Sequence, residues 1–348
     1  MSNAFAMPRD KSKVTIYDVA EHAHVAISTV SRVLNNSADV SDRTRSKVLR
    51  AIDELQFRPD RIAKSLAQQK STTLAVAIPS FTTPYHNELL KGIRAGLQGE
   101  AIDLLLCDLG SKGQLSTLHA FLNRGTVDGL LLAGVIIDDA LAAELAALRA
   151  PVVVIGSSHP SFDSFTWDNE RGAYEAVSHL VHMGHRDIAL LKTHMETSIT
   201  QNARTAGYTK ALHEAGIRVH EELMVSGKTE KHSGFSEESG LEAAHLLLDI
   251  GLRFTAIFAC SDVQAIGAMK AFRDSGLRIP QDVSVIGYDN IKTSEYIGLS
   301  SVDQQMQKIG LDATRLLIGR INDSIDYKPR AITISPKLHI RSSSRHKL

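Results

Sequence analysis

From Thr73 onward the chain repeats one rhythm: a short apolar run, then a stretch whose apolar positions fall at helical spacing. The runs "TLAVAIP", "IDLLLCD", "VDGLLLAG" and "PVVVIGS" are apolar almost throughout, as in parallel strands covered on both faces. Between the first two, "YHNELLKGIRAGLQG" carries Leu89, Leu90, Ile93 and Leu97 on one helical face. The rhythm restarts with "DIALLK", "ELMVSG", "TAIFACSD" and "VSVIGYD". These eight runs, with helices between them, predict an α/β protein with two open, doubly wound parallel sheets in tandem. Such sheets bind ligands at the carboxyl ends of their strands, so two of them enclose a cleft.

The N-terminal part follows another pattern. In "VTIYDVAEHAHVAISTVSRVLN" apolar residues fall at Ile16, Val19, Ala20 and Ala23, stop at "HVA", and resume at Val30, Val33 and Leu34. Two short helices joined by a tight turn are expected. Thr15 stands just before the first, where its hydroxyl can cap free amides. The second, about Ile27 to Leu34, presents Ile27, Ser28, Ser31 and Arg32 away from its apolar edge. A helix of this size fits the DNA major groove, where Arg pairs with guanine and an aliphatic tip meets a thymine methyl. A third helical stretch, "DRTRSKVLRAIDELQF", is ended by Pro59. "DRIAKSLA" is helix-competent but under three turns long, hence marginal in isolation, and "QQKSTT" reads as a linker.

Composition adds three constraints. With 348 residues, 43% hydrophobic and 22% charged, the chain is globular and long enough for two or three domains. No run approaches the roughly 18 apolar residues of a membrane span, and "MSNAFAMPRDKSK" lacks the apolar core of a signal peptide, so a cytoplasmic protein with no membrane partner is expected. Cys107 and Cys260 sit inside apolar runs and read as buried, reduced thiols. The zero net charge hides an asymmetry: residues 1–70 carry 12 Lys/Arg against 8 Asp/Glu, and the rest 27 against 31. A basic head on an acidic body fits a polyanion-binding head.

The phrases "VTIYDVA", "TVSRVLN", "VSDRTRSKVLRAIDEL", "FRP" and "IAKSLA" follow one another in the N-terminal part, and "VDGLLL", "WDNERGA", "MGHRDIALL", "FACSDVQAIGAMKAF" and "GLRIPQDVSVIGYDN" follow in the body. In this order they resemble the LacI/GalR family of bacterial transcription regulators, over roughly residues 13–341. The resemblance implies a helix-turn-helix domain at 13–58, a hinge helix and linker at 59–72, and a periplasmic-binding-protein-like (type I) effector and dimerisation domain at 73–341. Its two subdomains are expected at 73–167 plus 303–323 and at 168–302 plus 324–341. Thr15, Tyr17 and Ser31 fall where the family contacts the DNA backbone, and Ile27, Ser28 and Arg32 where it reads bases. Leu66 falls where hinge leucines wedge into the minor groove, and Ala63 where paired hinges approach. His24 replaces the turn glycine of many members, which His tolerates better than most residues. Ala26 replaces a serine, so one hydroxyl contact to phosphate is missing.

For the effector, the resemblance and the strand ends together nominate Tyr85, His86, Asp168, Thr200, Arg204, Phe235, Ser261 and Asp289, with Gln304 less secure because "GLSSVDQQ" departs from the family phrase. Arg and Asp can hydrogen-bond vicinal hydroxyls or a carboxylate, while Tyr and Phe cover an apolar ring face. Asp168 also suits a helix N-cap, Phe235 a core position and His86 a solvent-facing one. Ser198 stands where the purine repressors have a ligand-contacting Arg, which argues against a purine; the resemblance implies a sugar or sugar derivative, and Arg204, able to take a carboxylate, keeps a sugar acid open. His22/His24 and His182/His185 are close pairs without an accompanying Cys or carboxylate cluster, so no metal and no cofactor are expected. The reading is a dimeric repressor on a pseudopalindromic operator, controlled by a small molecule. An enzyme is disfavoured, since no G-x-G-x-x-G after the first strand, no Walker A sequence and no G-x-S-x-G elbow occur. A small-molecule receptor without a regulatory role is the alternative, against which the head argues.

Overall fold

The computed structural model describes residues 14–34, 37, 39–57, 73–110, 112–123, 127–148, 150–193, 198–322 and 328–345. Its two compact units are Met1–Ser71 and Thr72–Leu348. The expected hinge at 59–72, with Ala63 and Leu66, lies outside the described residues.

In the first unit, helices α1 (Ile16–His22), α2 (Ile27–Leu34) and α3 (Asp42–Glu54) close around Val19, Val30, Val33, Val48 and Ala51. The turn after α1 is fixed by the backbone. His24 takes φ +53°, its N–H donates to the Glu21 carbonyl at 3.1 Å, and the Val25 N–H donates to the Ala20 carbonyl at 3.0 Å. This pair of bonds is a Schellman closure, a position where glycine is usual. His22 Nε2 meets Glu54 Oε2 at 2.7 Å and ties α1 to α3.

The second unit holds two six-stranded sheets. The first is all parallel, in the order β11-β5-β4-β3-β1-β2: β1 (Thr73–Ile78), β2 (Asp103–Asp108), β3 (Gly129–Ala133), β4 (Val152–Ile155), β5 (Asp163–Trp167) and β11 (Ala331–Ile334). Strands β3 and β4 are buried throughout, and Val76 of β1 lies in register between Leu106 and Leu131. The expectation of two covered faces fails at β2, an edge strand whose Leu105 and Leu106 are each 44% exposed. The second sheet runs β12-β10-β9-β8-β6-β7, from β6 (Ile188–Lys192), β7 (Met224–Ser226), β8 (Ala256–Ala259), β9 (Ser284–Asp289), β10 (Ser300–Asp303) and β12 (Lys337–His339). Its last strand, β12, is antiparallel to β10.

Helices cover both sheets. Those that matter below are α4 (Pro84–Gly96), α7 (Asn169–His182), α8 (Ile199–Glu214), α10 (Asp262–Asp274), α11 (Lys292–Tyr296) and α12 (Met306–Asn322); α5 (Gln114–Leu122), α6 (Asp139–Ala147) and α9 (Glu237–Ile250) complete the layers. Helices α4 and α12 touch backbone to backbone: a Cβ on Gly92 would lie 2.0 Å from the Gln307 carbonyl oxygen.

The chain passes between the sheets three times, after β5, after β10 and between β11 and β12. The crossing segments are bonded to one another. The Asp168 N–H donates to the Ile334 carbonyl at 3.1 Å, Trp167 Nε1 to the Gln304 carbonyl at 2.8 Å, and Gln305 Nε2 to the Ser335 carbonyl at 3.1 Å. This corrects the expected partition in which 324–341 joined the second subdomain. β11 pairs with β5 in the first sheet, because buried Asp163 draws its neighbourhood there: Oδ1 accepts the Arg330 N–H at 2.8 Å and Oδ2 accepts Arg320 Nε at 2.8 Å. Only the segment from β12 onward returns to the second sheet. Among the described residues, no helix is long and apolar enough to cross a membrane.

The positive φ at His24 gives a stability test. His24→Gly relieves the left-handed strain and should stabilise the head by about 1 kcal/mol, less the extra entropy of an unfolded glycine. Thermal unfolding of the isolated head reads this; a loss of stability would show that the His24 side chain itself holds the turn.

Candidate DNA-reading helix and ligand cleft

Helix α2 splits cleanly by burial. Val30 and Val33 face the core, while Ile27, Ser28 and Arg32 are exposed and Ser31 is half-buried. The last four residues occupy an arc of about 140° at roughly 100° per residue. Tyr17 on α1 is 63% exposed, and Thr15 caps α1, its N–H and its hydroxyl both reaching the Asp18 carboxylate at 2.7 Å. The six expected head residues thus lie on the exposed parts of α1 and α2 or at α1's start.

One polar cluster lies where strand ends of the two sheets meet. At its centre Arg204, from the second turn of α8, is buried with its guanidinium 3.7 Å above the Tyr288 ring centroid. Nε donates to Asn169 Oδ1 at 3.1 Å, and Nη1 donates to the Cys260 carbonyl and stands 3.7 Å from Asp289 Oδ1. Asp289 ends β9 and also accepts from Gln304 Nε2 at 2.6 Å. Burial raises the Asp289 carboxyl above the usual carboxylate range, while Arg204 and Gln304 draw it back down. Tyr85, from the first subdomain, completes the group. Burial and then the Asp289 carboxylate push its phenol up, with Arg204 opposing. His86 is buried, not solvent-facing, and its Nδ1 lies 2.6 Å from Thr83 Oγ1. Burial and neighbouring His232 lower its pKa to about 4.

Other expected residues have structural duties. Asp168 is the N-cap of α7, accepting the Arg171 N–H at 3.0 Å. Ser261 caps α10 and donates to Gln264 Oε1 at 3.1 Å. Phe235 is half-buried against the cluster that contains Tyr208, Cys260 and Tyr288. Thr200 stands one turn before Arg204 on α8. His185 places its ring nitrogens against Thr255 Oγ1 at 2.9 Å and Ser284 Oγ at 3.1 Å, a buried histidine satisfied by hydroxyls. The sequence reading passed over Asn169, Tyr288 and Trp167; the first lay in the quoted "WDNERGA" phrase, beside the aspartate that drew notice. Besides the bonds among the crossing segments, polar contacts between the subdomains include Lys112 Nζ to Glu230 Oε2 at 2.9 Å and the Lys292 N–H to buried Glu88 Oε1 at 3.4 Å.

Residues 15–60 match the family described as bacterial regulatory proteins, lacI family, and residues 177–344 match a periplasmic binding protein-like domain. Over 340 residues the chain is 34% identical to the HTH-type transcriptional regulator DegA of Bacillus subtilis (strain 168), covering 95% of this chain and 98% of that protein. The chain belongs to the lacI family. Two lacI-like solved structures agree along nearly its whole length. The lac repressor dimer bound to operator and the anti-inducer ONPF superposes with a TM-score of 0.78 at 29% identity, covering 96% of this chain and 99% of that one. The transcriptional regulator CelR–cellobiose complex gives 0.67 at 30% identity, covering 95% and 100%.

His86 supplies a pH signature. Its folded pKa of about 4 lies below the ordinary imidazole value, so the unfolded chain binds more protons between about 6.5 and 4. Stability is therefore full above about pH 6.5 and falls, by up to about 3 kcal/mol, as pH drops toward 4. His86→Gln should flatten that slope in urea unfolding run at several pH values; an unchanged slope would assign it to other groups.

Proposed function

We propose that this lacI-family protein is a dimeric repressor that reads a pseudopalindromic operator through α2 and whose operator affinity is set by a neutral saccharide in the cleft. The observation that carries the ligand class is the Arg204–Asp289–Gln304 cluster. It offers a buried donor and a buried acceptor side by side, the pairing that vicinal hydroxyls satisfy. A ligand carboxylate placed on Arg204 would have to share it with Asp289, 3.7 Å away, so a neutral sugar is favoured over a sugar acid. Tyr85 supplies an aromatic face from the opposite subdomain. Cellobiose in the CelR complex is a ligand of this chemistry.

In the head, Ile27, Ser28 and Arg32 would read base edges, with Thr15, Tyr17 and Ser31 on the phosphates. One head covers one half-site, so a palindrome requires two protomers. The chemistry is recognition and release; no residue is assigned a catalytic role.

Two experiments test this reading. With an operator selected from random DNA by the protein itself, Arg32→Ala should lose roughly 1–3 kcal/mol of specific binding and much less on non-specific DNA. Equal losses on both would move Arg32 to the phosphate backbone. Asp289→Ala should weaken binding of the best saccharide from a neutral-sugar panel at least about tenfold and abolish its effect on operator, while leaving operator affinity itself intact. Calorimetry that finds the same affinity in the variant would remove Asp289 from the site.

A further inference from the structure

The carboxylate that the proposed ligand would meet is carried on a backbone that its own sequence disfavours. Asp289 has φ +111° and Asn290 φ +52°, two consecutive non-glycine residues on the side of φ space where side chains are strained. Such a turn persists only when its surroundings over-determine it. Two groups outside the cleft do so here.

The first is Asp262, fully buried at the start of α10. Its Oδ2 accepts the Ile291 N–H at 2.9 Å and Ser294 Oγ at 2.6 Å, and its Oδ1 accepts Ser301 Oγ at 2.6 Å. Ser301 Oγ in turn accepts the Asn290 N–H at 2.9 Å. The second is Arg341, beyond β12. Its Nη2 donates to Asn290 Oδ1 at 2.7 Å, and its Nη1 donates to the Leu299 carbonyl at 2.6 Å. Asn290 is thus held by its amide from one side and by its side chain from the other, and Asp289 is held between this clamp and β9.

We propose that Arg341 and Asp262 are positioning residues for the cleft: through Asn290 they hold the strained turn that aims Asp289 at a saccharide. The proposal rests on the cleft reading above, and it adds a determinant contributed by the C-terminal segment of the second subdomain.

Arg341→Met keeps the stem and removes both donors. Its saccharide affinity should fall about tenfold, as expected when a strained, preorganised group is set free. Without any sugar, hydrogen exchange at the Asn290 and Ile291 amides should accelerate by a similar factor of about ten. The decisive arm is rescue. Glycine adopts φ near +52° without a clamp, so Arg341→Met/Asn290→Gly should return to within about twofold of wild-type affinity. An arginine that merely anchored the C-terminal segment would not be rescued from position 290. Ser301→Ala, which removes the acceptor of the Asn290 amide, should show the same loss if Arg341→Met is poorly folded. Unchanged exchange and affinity in Arg341→Met, with Asp289→Ala impaired, would overturn the proposal and leave the cleft reading standing. Unchanged affinity in Asp289→Ala would overturn both.

Discussion

A guanidinium taken out of water must be answered by acceptors, and most of the second unit's architecture around its cleft answers Arg204. Removing such an ion from solvent costs several kcal/mol, and a partner charge often returns less than that cost. Stability alone therefore does not account for an Arg204–Asp289 pair at 3.7 Å in this interior. The acceptors come from three separate places: Asn169 at the start of α7, the Cys260 carbonyl just past β8, and the end of β9, which gives both the Asp289 carboxylate and the π-face of Tyr288. All lie at carboxyl ends of strands or just beyond, which is where a doubly wound sheet leaves backbone and side chains uncovered by its own helices. Such a pair is what the proposed saccharide site requires, and the fold tolerates it.

The head obeys the opposite logic. Its core is small and wholly apolar, with Val19, Val30, Val33 and Val48 carrying the packing, and α2 turns four polar or aliphatic residues outward with no internal duty. A surface that contributes nothing to its own fold is free to be selected for what it touches. For a helix of this size, beside a basic sequence, the partner proposed above is the major groove.

How much of this could be read from the residues follows from where apolar side chains were sufficient. The strands β1, β3, β4, β8 and β9 were legible because both of their faces are covered, and so were the head helices, whose period is plain. β5, β10, β11 and β12 were not. β10 reads "SSVD" yet its Ser300 and Ser301 are fully buried, with hydroxyls bonded to the Arg341 carbonyl and to Asp262. β5 opens on Asp163, buried against Arg320. A polar residue satisfied inside looks, in sequence, like a polar residue outside. The same blindness affected the site. Arg204 and Asp289 were nominated by the family resemblance and their place near strand ends, whereas nothing in the sequence says that Ser261 caps a helix, and Asp168 suits a cap and a ligand contact equally. Nothing local in the sequence announces that Arg341 reaches Asn290, 51 positions away, since that contact depends on the third crossing of the chain.

That third crossing also bears on how a ligand in the proposed cleft could be felt elsewhere. Three segments join the subdomains, and the side-chain contacts across the cleft are few. Lys112–Glu230 is an exposed pair, screened by solvent and salt, and the Glu88 bond to the Lys292 amide is long at 3.4 Å. Cores on either side are dense and apolar, so each subdomain is expected to keep its shape if the connection between them flexes. A ligand bridging Tyr85 on one side and Arg204 with Asp289 on the other would then supply more closing energy than the protein's own cross-cleft contacts do. It can shift the balance of open and closed forms only by its differential affinity for them. A weak native clasp makes that differential decisive, because little intrinsic preference has to be overcome. The rigidity of the Asp289 turn is the complement of this softness: the ligand's energy goes into moving the subdomains only if the group it grips does not yield first.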